Sequence, residues 1–217
     1  MNDSRQLFPT SRANQPSQWG VFDEIALTSG PDRLPVRSSE LAVRLQLHLN
    51  TVVEIVAFLA TIDLVEGTRH NCAVTKAGWE VAAAYRQDET QGRLLLLAQF
   101  RDHWAVQLTY SLAYDAPVEQ ATLAGRISDT TGVTSRRAHY LLDWLVMALV
   151  LHQDPSMQLS PSAAYAVPIS APRREPNAVD PPGLLMGLTP AELRALPPER
   201  YQELLKQLPA LYDLNWS

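Results

Sequence analysis

The side chains best equipped for chemistry stand together in one short stretch, Thr134-Ser135-Arg136-Arg137-Ala138-His139-Tyr140. Its guanidinium forks and hydroxyls can bond phosphate oxygens, an arginine can take a guanine edge in bidentate fashion, and the tyrosine ring can stack. The same residues allow a plainer arrangement, with Arg136 and Arg137 paired to Asp129 or Asp143 and Tyr140 turned inward. A weaker set lies earlier, where Asn50 could bond an adenine and Thr51 a phosphate, although both residue types serve equally well as helix caps. Near them Val53 offers only apolar contact and Glu54 repels a phosphate backbone. Arg69 and Lys76, with His70, surround a run of turn formers, Glu66-Gly67-Thr68-Arg69-His70-Asn71, and are placed for phosphate contact or simply solvated.

Other chemistry is poorly supplied. His70-Asn71-Cys72 could donate two metal ligands, but nothing provides two more at motif spacing, and Cys72 is the only cysteine. No phosphate-cradling glycine-lysine loop, nucleophile elbow, zinc-protease helix or dinucleotide glycine pattern occurs. The histidines, His48, His70, His103, His139 and His152, are far apart, and His103 with Asp102 falls in a leucine and aromatic stripe that reads as core. A non-enzymatic protein without cofactor or metal is therefore expected. The chain carries 18 basic and 23 acidic side chains, a net charge of -5, so any nucleic-acid contact must come from a local patch. All the basic residues but Lys76 and Lys206 are arginine, which suits bidentate contacts or reflects a biased composition. An apolar content of 46% is ample for globular cores. No apolar run approaches the ~18 residues of a membrane span, and the polar start has no leader-like segment, so a cytoplasmic protein is expected, nucleoid-associated if it binds DNA.

The elements that must position these residues centre on Leu41 to Val65. Leu41, Leu45 and Leu47, then Val52, Ile55, Val56, Leu59 and Ile62, fall at helical spacing on either side of a break around Gln46 to Leu49. Two helices joined by a tight turn are predicted, with Ser38 or Ser39 capping the first. A short hairpin across Glu66 to Asn71 follows, and then a helix capped by Thr75. That helix fades over residues 86–92, and a longer one over 93–114 carries Leu97, Phe100, Trp104, Leu108 and Leu112 on one face. The unit then repeats: Pro117-Val118 matches Pro35-Val36, and Leu123-Ala124-Gly125-Arg126-Ile127 matches Leu41-Ala42-Val43-Arg44-Leu45, a shift of 82 residues. Leu141, Leu145, Leu149 and Val150 play the parts of Ile55, Leu59, Leu64 and Val65, and Asp154-Pro155-Ser156 is the turn of a second hairpin.

Helix, turn, helix, hairpin and helix, with the LA-xx-L-x-L start and the LV-then-turn end, resembles the winged helix-turn-helix superfamily, here in two tandem copies over roughly residues 18–163. The resemblance implies a mainly α fold with small β-hairpin wings, in which the second helix of each copy lies in the major groove of duplex DNA. The division expected is a disordered arm over 1–16, winged units over 17–91 and 92–165, a proline-rich linker over 166–183 and a helical segment over 184–217. Leu204, Leu205, Leu208 and Trp216 in that last segment leave an apolar surface suited to a protein partner or to self-association. The leading expectation is a DNA-binding regulator or accessory subunit that contacts double-stranded DNA mainly through the second copy. The alternative is a protein-interaction scaffold or accessory subunit of a larger DNA-processing assembly, which the acidic charge and the neutral first copy favour.

Overall fold

The protein is described by a computed structural model over residues 6–113 and 116–166. Helix α1 (Gln15–Ser29) starts where Asn14 accepts the Ser17 amide and Pro16 stands in the first turn. After it come β1 (Val36–Arg37), α2 (Ser38–Arg44), α3 (Leu49–Thr61), β2 (Val65–Gly67) and β3 (Asn71–Val74). Helices α4 (Lys76–Gln87), α5 (Glu89–Phe100) and α6 (Trp104–Ala113) lead to β4 (Val118–Glu119), α7 (Gln120–Thr131), α8 (Ser135–Met147), β5 (Leu151–Gln153) and β6 (Gln158–Pro161). A short α9 (Ala163–Ala166) ends the described chain. Over the described residues the protein is mainly helical, with two small antiparallel sheets. The linker over 166–183 lies beyond the described residues apart from Ala166 at its start. So does the segment bearing Leu204, Leu205, Leu208 and Trp216.

The strand and helix order β–α–α–β–β occurs twice, and the two sheets are built alike. Their orders are β1-β3-β2 and β4-β6-β5, with Val36 opposite Cys72 in one and Val118 opposite Leu159 in the other. The axes of α2 and α3 turn through 117° at a tight break. Both hairpins leave their helices in the same way: Leu64 N–H donates to Leu59 C=O at 3.1 Å, and Val150 N–H to Leu145 C=O at 2.9 Å. The residue before each donor is left-handed, Asp63 at φ 53° and Leu149 at φ 55°. Leu149 therefore corresponds to Asp63, Val150 to Leu64 and Leu151 to Val65, one residue away from the alignment drawn by side-chain similarity. Backbone conformation, not apolar character, sets the register here.

A leucine in the left-handed region costs about 1–2 kcal/mol through the clash of Cβ with the following carbonyl, a cost that asparagine lessens. Leu149 is only half-buried and is not one of the buried core residues. Leu149→Asn is therefore expected to raise stability by about 1 kcal/mol, a melting temperature about 2–4 °C higher by calorimetry. A lower melting temperature would mean that packing of the leucine outweighs its backbone strain.

Three expectations need correction. The helix read over 93–114 is two helices, because His103 breaks it: its Nδ1 accepts the Ala105 amide at 3.4 Å, and its Nε2 lies 3.2 Å from Thr61 Oγ1 at the end of α3. The preceding residues do not fade either. Asp88 alone separates α4 from α5, and its carboxylate accepts the Thr90 and Gln91 amides. The two helices meet so closely that a Cβ on Gly92 would lie 2.4 Å from Tyr85 Cα. Finally, Ser38 is the first residue of α2 and not its cap, since its hydroxyl donates to Arg69 C=O at 3.0 Å and ties the helix to the hairpin.

The two repeats do not form separate cores. Side chains from α1, α3, α5, α6, α7 and α8 belong to one continuous apolar cluster, in which α1 contributes fully buried Val21, Phe22, Ile25 and Ala26. Trp19 on α1 stacks near Tyr85 of α4, with ring centroids 4.5 Å apart, and near Trp144 of α8 at 6.1 Å. Phe58 of α3 meets Trp144 directly at 5.6 Å, and these two residues hold the same place in their repeats, 86 residues apart. A single core explains why the chain has no Pro- or Gly-rich seam between residues 91 and 92.

Candidate functional site

The second helix of each repeat carries most of the candidate residues, so its faces decide what they can do. In α3 the buried residues Thr51, Val52, Ile55, Val56, Phe58 and Leu59 occupy the inward side at three- and four-residue spacing. Thr51 is only 4% exposed and cannot meet a nucleic acid. Its neighbour Asn50 is exposed and does not cap the helix, because His48 does so by accepting the Asn50 amide at 3.3 Å. The Asn50 side-chain oxygen Oδ1 instead faces Arg69 of the hairpin, 3.5 Å from Nη2. Arg69 and Lys76 do not form one patch. Arg69 stands beside the start of α3, whereas Lys76 opens α4 next to Thr75, which bonds Asp63 beyond the end of α3. At 1.5 Å per residue those two ends are about 20 Å apart.

Helix α8 has the same layout, shifted by 86 residues, and so Arg137 falls where Thr51 does. It is half-buried, and its guanidinium bonds main chain at two points: Nε donates to Pro9 C=O and Nη2 to Phe8 C=O, each at 2.9 Å. Neither Asp129 nor Asp143 pairs with it among the described residues. Thr134, Ser135 and Arg136 at the helix start remain exposed, and Thr134 makes no side-chain cap bond. His139 is half-buried with Nδ1 3.3 Å from Ser135 C=O, and Tyr140 is half-buried. Asp143 accepts Gln120 Nε2 at 2.7 Å, and Gln120 in turn accepts Gln153 Nε2 at 3.0 Å, which ties α8 to its hairpin. Burial raises the Asp143 carboxyl above its ordinary range, against the opposing pull of Gln120 and His139.

The segment that holds Arg137 is the arm expected to be disordered over 1–16. From residue 8 onward it packs. Phe8 is 3% exposed with its ring 4.8 Å from Trp104 of α6, and Thr10 is fully buried with its hydroxyl on the Glu54 carboxylate of α3. Arg12 adds an ion pair to Glu54 at 3.6 Å. Gln18 closes the stitching, donating to Ala13 C=O at 2.8 Å and Thr10 C=O at 3.3 Å while accepting Trp144 Nε1 at 3.1 Å. The sequence signal for this was Phe8-Pro9, an aromatic anchor and a stiff residue in an otherwise polar stretch.

Most of the other arginines are also engaged. Arg33, Arg37, Arg44 and Arg86 pair with Glu66, Glu40, Glu24 and Asp23. Arg93 and Arg126 donate to the carbonyls of Met147 and Leu112, each at 2.9 Å. A cleft of about 230 Å³ between Arg37, Ser39, Leu49 and His70 opens beside the first hairpin. Among the described residues no group of three or more histidine, cysteine or acidic side chains is arranged to hold a metal. Cys72 is buried, and burial pushes its thiol up to about 11. No single described helix is long and apolar enough to cross a membrane. Comparison with models of known families, with curated proteins and with solved structures gives no match.

Proposed function

We propose that the chain is a non-enzymatic interaction subunit, built from two tandem winged helix-turn-helix units, whose main partner is another protein. The fold part of this reading is supported by the twofold β–α–α–β–β order, the 117° turn between α2 and α3 and the matched three-stranded sheets. One observation carries the functional part: on both α3 and α8, side chains that a groove-reading helix would offer to DNA are engaged within the molecule. Glu54 and Arg137 hold the N-terminal segment, Thr51 is buried, and Phe58 packs on Trp144. The net charge of -5 adds no attraction for a polyanion. An accessory role in a larger assembly suits a protein of this kind.

A second reading, contact with double-stranded DNA, is favoured by the exposure of Thr134, Ser135 and Arg136 at the start of α8. The two readings part on salt. Binding through several phosphates weakens with a logarithmic slope near −0.9 per phosphate neutralised, about a thousandfold or more between 50 and 200 mM salt for six or more contacts. Fluorescence anisotropy with a mixed-sequence duplex is expected to show no such steep binding, and Arg136→Ala is expected to change little. Tight, salt-sensitive binding that Arg136→Ala removes would overturn the protein-partner reading in favour of DNA.

A further inference from the structure

We infer that the cleft between α3, α6 and α8 is a peptide-binding groove, filled in this molecule by its own residues 8–12 and able to take a partner segment of the same chemistry in their place. The segment is read as docked peptides are read, main chain by fixed donors and side chains by separate pockets. Arg137 grips two successive carbonyls, those of Phe8 and Pro9, through Nε and Nη2 at 2.9 Å each. That contact would accept any extended chain. Selectivity comes from three side chains. Phe8, 3% exposed, fills a pocket against Trp104; Thr10 gives its hydroxyl to Glu54; and Arg12 lies 3.6 Å from the same carboxylate.

The groove thus selects a segment with an aromatic residue, a hydroxyl two residues later and then a turn that sets an arginine two residues after that, as the Arg12 amide donates back to the Thr10 hydroxyl at 3.3 Å. Glu54 and Arg137 supply one charge of each sign, and they come from different repeats. The resident segment precedes α1 and contributes no strand or helix to the fold, so it can leave without unpairing a sheet. A tethered segment acts at an effective concentration in the millimolar range, so a partner must bind tightly or arrive in more than one contact.

This inference rests on the reading of the chain as an interaction protein. Salt-sensitive DNA binding would sink that reading, whereas the test below addresses the groove alone. The full chain carrying Phe8→Ala, and separately Thr10→Ala with Arg12→Ala, is titrated into a fluorescein-labelled peptide of residues 6–14, with a thermal melt to establish folding. Saturable binding is expected, at least about ten-fold tighter than to the unsubstituted chain, whose groove is occupied. Adding Arg137→Ala to the protein is expected to weaken capture by about ten-fold or more, and Arg137→Lys nearly as much, because lysine has a single nitrogen on a flexible stem where arginine offers two in a fixed planar fork. A peptide carrying Phe8→Ala is expected to bind about a hundred-fold more weakly. A folded variant that captures no peptide, or capture indifferent to Arg137, overturns the inference. Loss of the fold in both variants overturns it too, since the segment would then be an inseparable part of the core.

Discussion

Replacing Gln18 by leucine is expected to lower the stability of the fold by about 3 kcal/mol, seen as a melting temperature about 6–12 °C lower. Gln18 is fully buried, and its side-chain amide is satisfied at both ends: the nitrogen donates to Ala13 and Thr10 carbonyls, and the oxygen accepts the Trp144 indole. Leucine has nearly the same volume, so little cavity forms. What changes is that a buried indole N–H and two buried carbonyls lose a partner, each at a cost of about 1–3 kcal/mol unless water reaches it. Among the described residues no buried side-chain polar atom is without a partner in the native protein, so the loss would be conspicuous. A double-mutant cycle separates the polar cost from packing. In a Trp144→Phe background no indole donor remains, and Gln18→Leu should then cost about 1 kcal/mol less. Equal costs in both backgrounds would mean that the indole bond contributes nothing.

The second large effect is acid sensitivity between pH 6.5 and 4. His103 is 7% exposed, lies 5.5 Å from Phe100 and 5.2 Å from Trp104 by ring centroids, and is lowered by burial from its ordinary 6.5 to about 4. Nδ1 accepts an amide, so the proton of the neutral ring is assigned to Nε2, facing Thr61. Above pH 6.5 the ring is neutral in folded and unfolded chains alike, and its titration leaves stability unchanged. Between 6.5 and 4 the unfolded chain takes up a proton that the folded one refuses, so stability falls as pH falls. The drop amounts to about 3 kcal/mol across the window and levels off once the folded ring is also protonated. Urea unfolding of the wild type and of His103→Gln at pH 7, 5.5 and 4 isolates the contribution, since carboxylates titrate in both. Parallel pH profiles for the two proteins would show that the ring is more accessible to water than its burial implies.

The repeat was legible because Pro-Val before the first helix and the Leu-Ala-x-Arg match within it, Leu41 to Leu45 and Leu123 to Ile127, both recur. Its register was not, since matching leucine to leucine placed Leu149 on Leu64, whereas the backbone places it on Asp63. The break between α5 and α6 was hidden for a related reason. Phe100 and Trp104 keep helical spacing straight through it, and only His103, acting as a cap from inside the core, marks the interruption. For the site, residue type was read well and facing was not. Thr51 and Arg137 belong to inward-facing rows, Thr51 with Ile55 and Phe58, and Arg137 with Leu141 and Trp144, as their common spacing could have indicated. The partners of Arg137 are main-chain carbonyls, which no pattern of side chains announces.

The meeting of Phe58 with Trp144 has a further meaning. In a two-fold dimer of identical subunits, a residue on the axis touches its own counterpart. Here the two copies that bring Phe58 to Trp144 are written into one polypeptide, so their ratio is fixed at one to one and does not depend on protein concentration. Covalent linkage also frees each copy to change without the other. Asn50 and Arg136 occupy one place in the two units, as do Thr51 and Arg137, yet only the second copy carries guanidinium groups there. A symmetric homodimer would have to present every such change twice, whereas this chain can meet its own N-terminal segment with a carboxylate from one copy, Glu54, and a guanidinium from the other, Arg137.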